Sequence, residues 1–351
     1  MKRNMRNNTG IVLICACLFL MTGVVCAGAE EPTSPDALIS RARLLDIWTE
    51  GTPPMLMRAE IEVSDSEGAL VLGTYRLDWV SPSRWREEIR FANYQRLRVG
   101  DAKGYWQTSA LSYQPEIIFQ LDTLLHLRDA LRFEPKQTLG RVKNRNQDRV
   151  RQQCTEVKWA AGTDRRMCFD ETSGALASIE YPGGQHQNPP DISRIEYGEF
   201  TSVAGKLVPR EIRALKDRKV IAAVRVLEIA KITEENPSLF NAPAKAEFWA
   251  QCDDRKEADL LVGSVLPTFP ASATANRESG RVILYAVIEA DGSLSKAQVI
   301  RDATLDMDAA ALQAVRQWHF RPAACGLTPI RVETSFYIDF LVTVKVRRRL
   351  L

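Results

Sequence analysis

Histidine is nearly absent from this chain: there are 3 in 351 residues. His126, His186 and His319 lie far apart, and none has a second ligand at metal-binding spacing. The strings that announce common catalytic sites are missing too. There is no G-x-S-x-G, no H-E-x-x-H, no phosphate-binding G-x-x-x-x-G-K and no G-x-G-x-x-G. No catalytic residue, metal ligand or cofactor is therefore assigned, and the chain reads as non-enzymatic. Charge of one sign is also lacking. Lys and Arg number 47 against 44 Asp and Glu, a formal net charge of +3, which excludes nucleic acid as the main partner. No repeat of solenoid period and no low-complexity tract occurs. What is present is an ordinary globular composition, 45% hydrophobic and 26% charged, at a length that suits two domains.

One long apolar run exists, at the N-terminus. Lys2, Arg3 and Arg6 precede Ile11–Val25, and Ala27-Gly28-Ala29 has the small-x-small form of a signal-peptidase site. This predicts a signal peptide over 1–29, a mature chain from Glu30 and a periplasmic location. The competing reading is an uncleaved inner-membrane anchor, since Ile11–Ala29 approaches the ~20 residues needed to span. A lipid-modified Cys26 fits less well, because Gly23 and Val25 stand where a lipobox wants Leu and a small residue.

Cysteine is sparse as well. Of 7, Cys15, Cys17 and Cys26 fall in that N-terminal segment, and four remain, an even number that suits an exported chain. Cys154 and Cys168 flank "TEVKWAAGTDRRM", two short strands around a turn, which sets the sulfurs opposite each other. Cys252 and Cys325 are left to pair. Buried free thiols are the alternative.

Ser34-Pro35-Asp36 opens a helix, with Ser as N-cap, Leu38, Ala42, Leu45 and Trp48 on one face and Gly51 as the stop. From Met55 to about Ile232 short strands alternate with Gly, Pro and Asp turns, as in an antiparallel meander. One helix is expected at Glu116–Leu131. A stretch with two prolines and little periodicity places a junction near Pro243, with a linker over 243–260 between a domain at 30–242 and one at 261–345. A basic tail, 346–351, closes the chain. In the second domain, "RVILYAVIEADGSLSKAQVIRD" is a hairpin turning at Asp291-Gly292. "LDMDAAALQAVRQW" is a helix with Asp306 as N-cap, and Pro322 ends it. "RVETSFYIDF" alternates: Val332, Thr334, Phe336, Ile338 and Phe340 face one way, and Arg331, Glu333, Ser335, Tyr337 and Asp339 face solvent. The fold class is α+β: an antiparallel β domain with helices, then a small sheet carrying one packed helix.

"FPASA" (Phe269–Ala273), Gly280 before a strand, the Asp291-Gly292 turn, "LD…AA…AV..W.F.PA" and the closing "F.IDF" strand resemble the TonB C-terminal domain family. The resemblance covers about Leu266–Phe340. It departs at Ile300–Leu305, where a longer loop common in the family is replaced by "RDAT". It implies that Trp318 and Phe320 are structural anchors and His319 a tolerated polar residue. It further implies recognition of an extended segment of an outer-membrane transporter, or another envelope protein, by strand addition. The edge strand would be Arg331–Phe340, with Arg331, Glu333, Ser335, Tyr337 and Asp339 as the partner-facing residues. An energy transducer proper would keep its N-terminal anchor and a Pro-rich spacer. Here a folded domain of about 200 residues stands in the spacer's place.

In the first domain, "GTYRLDWVSPSRWREEIRF" followed by "RVGDAKGYWQ" resembles lipoprotein carriers of the LolA type and their outer-membrane relatives, LolB. That resemblance implies a half-open barrel whose apolar interior holds a lipid or lipoprotein acyl chain. Leu72, Tyr75, Leu77, Trp79, Trp85, Ile89, Phe91, Tyr105 and Trp106 would line it, with the Leu-rich helix as lid. The alternative is a plain packed β core. In the carrier reading the second domain serves as an accessory docking or homodimerisation module.

Overall fold

The computed structural model describes residues 34–43, 47–65, 68–125, 137–147, 149–159, 164–182, 192–234, 236–252, 255–256, 259–263 and 265–342. The expected signal peptide, His126, His186 and the basic tail lie outside them. Among the described residues no helix is long and apolar enough to cross a membrane.

A short helix, α1 (Pro35–Arg43), leads in. Ser34 caps it, its Oγ accepting from the Ala37 amide at 3.1 Å. The expected face is present in Leu38 and Ala42, but Trp48 lies past the helix end. Five strands follow as a meander: β1 (Met55–Ser64), β2 (Leu70–Ser81), β3 (Arg84–Phe91), β4 (Tyr94–Asp101) and β5 (Gly104–Ser109). Then comes α2 (Glu116–Leu125), the described part of the expected Glu116–Leu131 helix. Then β6 (Gln137–Leu139) and β7 (Lys143–Gln147) both pair with β8 (Val150–Trp159), and a second meander continues through β9 (Arg165–Asp170), β10 (Leu176–Glu180), β11 (Arg194–Val203), β12 (Lys206–Lys216) and β13 (Lys219–Lys231).

The two meanders join because β13 pairs with β1, Ile61 opposite Val224 and Ala59 opposite Val226. One antiparallel sheet of fourteen strands results, and its ends do not meet, so it is not closed into a barrel. Alternation decides which face is inner. In β1, Met57, Ala59, Ile61 and Val63 are buried, and in β2 Tyr75, Leu77 and Trp79. On this face lie α1 and α2, burying Leu38, Ile39, Ala42, Ile118, Leu121 and Leu124 in one core.

Residues expected to form part of a linker supply the fourteenth of these strands. β14 (Glu247–Ala250) extends the sheet beyond β5, with Trp249 opposite Tyr105 and Phe248 opposite Trp106. The C-terminal region then builds β15 (Arg255–Lys256), β16 (Asp259–Gly263), α3 (Ala271–Asn276), β17 (Gly280–Ile288), β18 (Leu294–Arg301) and α4 (Leu305–Val315). It ends in β19 (His319–Arg321), β20 (Ala323–Cys325), β21 (Thr328–Ile330) and β22 (Val332–Phe340). Its main sheet has the order β18-β17-β22. Gly292 makes the hairpin turn at φ +84, and any side chain there would run into the Phe320 carbonyl.

Two helix-end expectations are corrected. Thr304, not Asp306, caps α4, accepting from the Met307 amide at 3.3 Å; Asp306 and Asp308 sit in the first turn, where they suit the helix dipole. The helix stops at Val315, well before Pro322, which instead separates β19 from β20. Trp318 lies beyond the helix. Its Nε1 donates to the Val265 carbonyl at 2.9 Å, and its ring meets Phe336 edge-on at 5.4 Å while Phe320 stacks on Phe336 at 5.3 Å. Both Trp318 and Phe320 are half-buried.

Both paired cysteines expected from sequence are present as disulfides, Cys154–Cys168 across β8 and β9, and Cys252–Cys325 from the end of β14 to β20. The second closes a separation of 73 residues. In a chain-entropy account it contributes roughly 4 kcal/mol.

The helix α4 is held by packing more than by its ends. Met307, Ala311 and Val315 are buried against Val282 and Leu284 of β17, whereas Leu305 is 88% exposed. Met307→Ala should therefore cost about 2–5 kcal/mol in urea denaturation and Leu305→Ala no more than about 0.5 kcal/mol.

Candidate functional site

The inner face of the sheet is largely apolar, with buried charge at Arg165 of β9, in phase with Met167 and Phe169, and at the β3–β4 end. In β3, Trp85, Glu87, Ile89 and Phe91 share that face, and their partners across β4 are Gly100, Arg98, Arg96 and Tyr94. Three charged side chains thus sit in apolar phase and are buried: Glu87, Arg96 and Arg98. Isolated, each would carry a heavy desolvation cost. Arg96 resolves it with a two-pronged bond to Asp122 of α2, Nη1 to Oδ2 at 2.7 Å and Nη2 to Oδ1 at 2.6 Å. Its Nη2 lies 3.5 Å from Glu87 Oε2. Burial works against its charge, but Asp122 and Glu87 outweigh it and hold the guanidinium ionised.

Arg98 reaches across to the C-terminal region. Its Nε donates to Gln107 Oε1 at 2.6 Å, and its Nη2 lies 3.5 Å from Glu333 Oε2 on β22. Glu333 also accepts from Tyr285 Oη at 2.9 Å and from Gln107 Nε2 at 3.3 Å. Burial, then the Glu333 charge, raises the Tyr285 phenol well above its ordinary range. Around this centre Phe119 meets Tyr285 at 6.3 Å, Arg301 pairs with Glu116, and Lys296 and Arg331 both bond Glu247. Arg331 also lies over the Trp249 ring at 4.2 Å. The central strand β17 is consequently buried on both faces, against α4 on one and against β5, β14 and α2 on the other.

That arrangement corrects the expected solvent-facing row of β22. The pleat does set Glu333, Ser335, Tyr337 and Asp339 on one face, but at its start this face packs on the large sheet through Arg331 and Glu333. Glu333 is held there with its side chain only 11% exposed, and Arg331 is packed beside it. Ser335 and Tyr337 bond each other at 3.0 Å, and the exposed Asp339 pairs with Arg281 at 2.6 Å. The other edge of β22 pairs with no strand among the described residues.

Beside the charged cluster the inner face opens into a cavity of about 780 Å³. Of the expected lining residues Tyr75, Leu77, Trp79 and Trp85 reach it, and Leu124 and Leu125 of α2 border it. Trp85 lies flat across β4 because Gly100 offers no side chain in its way. Ile89 and Phe91 belong to the packed core instead. Tyr105 stands at the interface under Arg98 at 4.9 Å. Leu72 and Trp106 are on the opposite face, one strand position out of phase with Tyr75 and Tyr105: Leu72 is 70% exposed and Trp106 packs on Phe248 at 5.1 Å. Trp48, Met57, Glu87, Ile212 and Val224 are lining residues the sequence reading did not name. Glu87 was recoverable from its phase; Trp48 was not, since it had been placed on a helix. Among the described residues no group of His, Cys, Asp and Glu is placed to hold a metal.

Residues 265–342 match the family model described as the Gram-negative bacterial TonB protein C-terminal. No curated protein matches the chain in sequence. Three solved structures similar to it share 9–10% identity. One is a putative outer membrane lipoprotein-sorting protein domain from Vibrio parahaemolyticus, at 10% identity and TM-score 0.39, covering 59% of this chain and 97% of that one. Another is a LolA superfamily protein from Nitrosomonas europaea, at 10% and 0.37, with the same coverage. The third is the Pseudomonas aeruginosa MucA/MucB complex, at 9% and 0.23, covering 73% and 82%.

Two outcomes follow from this geometry. Arg96→Ala removes a buried cationic partner from both Glu87 and Asp122 and should cost about 3–5 kcal/mol in urea denaturation. As the control for this outcome, removing the exposed Arg58–Glu228 pair should change stability by less than about 1 kcal/mol. The second outcome concerns acid. Burial pushes the Glu247 carboxyl up, but Lys296 and Arg331 outweigh it and hold it below the usual carboxylate range. Its contribution is full above the ordinary glutamate value and is lost as pH falls through the lower, folded one. Hydrogen exchange across β14 and β18 should rise in that acid window, and Glu247→Gln should remove the dependence.

Proposed function

We propose that the chain is an exported, non-enzymatic protein of the cell envelope. It binds an extended segment of an outer-membrane transporter, or of another envelope protein, along β22. The observation that carries this reading is the open edge of β22 within the stretch that matches the TonB C-terminal model. Such an edge offers backbone donors and acceptors in a row, and a strand that joins it needs no particular side chain. The packed Arg331 and Glu333 fix the orientation of β22 and leave its pairing edge to the partner. Calorimetric titration of the full chain with peptides from the periplasm-facing N-termini of such transporters tests the reading. A binding peptide should lose at least about tenfold in affinity when alternate backbone amides are N-methylated. Equal affinity for the methylated copy would contradict strand addition.

The cavity supports a second reading, a carrier of lipid or of lipoprotein acyl chains to which the C-terminal region adds a docking function. Its volume of about 780 Å³ and its Trp, Tyr and Leu walls suit an apolar chain. Native mass spectrometry of the purified protein should then show a bound amphiphile, and Trp79→Asp should lose it. An N-terminus that retains Met1 would favour an anchored transducer over both.

A further inference from the structure

We infer that Cys252–Cys325 is a redox-active disulfide, opened by a dithiol reductant, and that its state sets how firmly one rim of the cavity is held. Neither strand addition nor lipid carriage is required for it.

The Cys154–Cys168 and Cys252–Cys325 bonds sit in opposite surroundings. Cys154 and Cys168 are 4% and 0% exposed. They face each other across β8 and β9, and the ladder continues on both sides of them, with Gln153 opposite Phe169 and Thr155 opposite Met167. A thiolate reaches that bond only if the strands part. Cys252 and Cys325 are partly exposed instead. Cys325 is followed at once by the β20–β21 turn, where Gly326 takes φ +59 and Leu327 is 96% exposed. Thr328 and Pro329 are exposed as well. Exchange needs a thiolate to reach a sulfur, so access separates two disulfides of the same chain.

The accessible bond also has something to release. Gln251 and Cys252 line the cavity beside Asp101, Ala102 and Gly104, and Asp101, Ala102 and Gln251 are exposed at its rim. Gly104 lies opposite Ala250 where β5 meets β14, and the Gln251 amide donates to the Lys103 carbonyl at 2.9 Å. Beyond Cys252 the chain passes to the C-terminal region, where Arg255 lies opposite Cys325 and Lys256 opposite Ala324. The disulfide closes that crossing, so the rim cannot part from β20 while the bond is intact. A bond that spans 73 residues also restricts the chain more than one that spans 14.

The step is a thiol–disulfide exchange. A thiolate of the reductant attacks Cys325 Sγ and forms a new S–S bond to it. The Cys252–Cys325 bond breaks, and Cys252 leaves as a thiolate that takes up a proton. The reductant's second thiol loses its proton and attacks the reductant sulfur of the mixed disulfide, which releases Cys325 as a thiolate to be protonated in turn. Two electrons pass from the dithiol, which becomes a disulfide, to the Cys252–Cys325 pair, which becomes two thiols.

Dithiothreitol is the probe. The full chain is treated with it under native conditions, thiols are alkylated at intervals, and peptide mapping by mass spectrometry follows each cysteine. Cys252 and Cys325 should be labelled at least about tenfold faster than Cys154 and Cys168. In protein reduced at Cys252 and Cys325 alone, hydrogen exchange should rise across Lys103–Tyr105 and Ala250–Cys252, while β8 and β9 keep their protection. Cys252→Ser with Cys325→Ser should show the same raised exchange without dithiothreitol. Equal or faster labelling of Cys154 and Cys168 overturns the inference, as does a rim whose exchange is unchanged in the reduced protein. Loss of protection throughout, β8 and β9 included, also overturns it, because the bond would then hold the whole fold and not the rim.

Discussion

A guanidinium inside a protein must find its counter-charges or stay in water, and Arg98 finds them in three different elements. Glu87 comes from the neighbouring strand, Asp122 from the helix that crosses the sheet, and Glu333 from a strand more than 200 residues later. The rest of the arrangement follows from meeting that demand. The helix α2 must lie over β3 and β4 so that Asp122 can serve both Arg96 and Arg98. The start of β22 must come down onto β5 so that Glu333 can reach Arg98 and Gln107. Once it does, β17 has a second apolar partner, and Tyr285 and Val287 are covered by Trp249, Tyr105 and Phe119. The Cys252–Cys325 bond ties the same two parts covalently, and Glu247 pins β18 and Arg331 to the last strand of the large sheet. The C-terminal region is thus a second layer on the large sheet.

This layering places the two candidate binding features side by side. Glu87 borders the cavity on one side and Arg98 on the other, and Arg98 touches the strand whose far edge is open. The inner face of the open sheet supplies the cavity, and Tyr75, Trp79 and Trp85 line it. The edge of β22 is available for a different reason: Arg331 and Glu333 are engaged with the large sheet, but side chains do not decide strand addition, and the backbone on the other edge pairs with no strand among the described residues.

Most of the architecture was legible because hydrophobic alternation is strong. Met57-Ala59-Ile61-Val63 and Tyr75-Leu77-Trp79 identify their own inner face, and Asp291-Gly292 identifies its hairpin. The errors have specific causes. Leu72 and Trp106 were counted by chemistry and not by phase, and a period of two is unforgiving. Asp306 is a good cap, but Thr304 lies one turn position better for the Met307 amide. The strand β14 was hidden in a proline-bearing stretch, although "EFWA" is too aromatic for a free linker. Burial of the Glu333 face could not be read locally, because its cause, Arg98, is remote in sequence. Charged residues in apolar phase, as at Glu87, Arg96 and Arg98, were the available signal that this end of the sheet meets something other than solvent.

The central claim is that β22 receives a partner along its free edge while its packed face stays in place. Hydrogen–deuterium exchange of the full chain, with and without a transporter-derived peptide, addresses both halves at once. The account predicts slowed exchange at alternate amides within Ser335–Phe340 and unchanged exchange in β14 and β17. Protection confined to β18, or loss of protection in β14 on peptide binding, would show that the partner uses a different edge or displaces the first domain, and would contradict it.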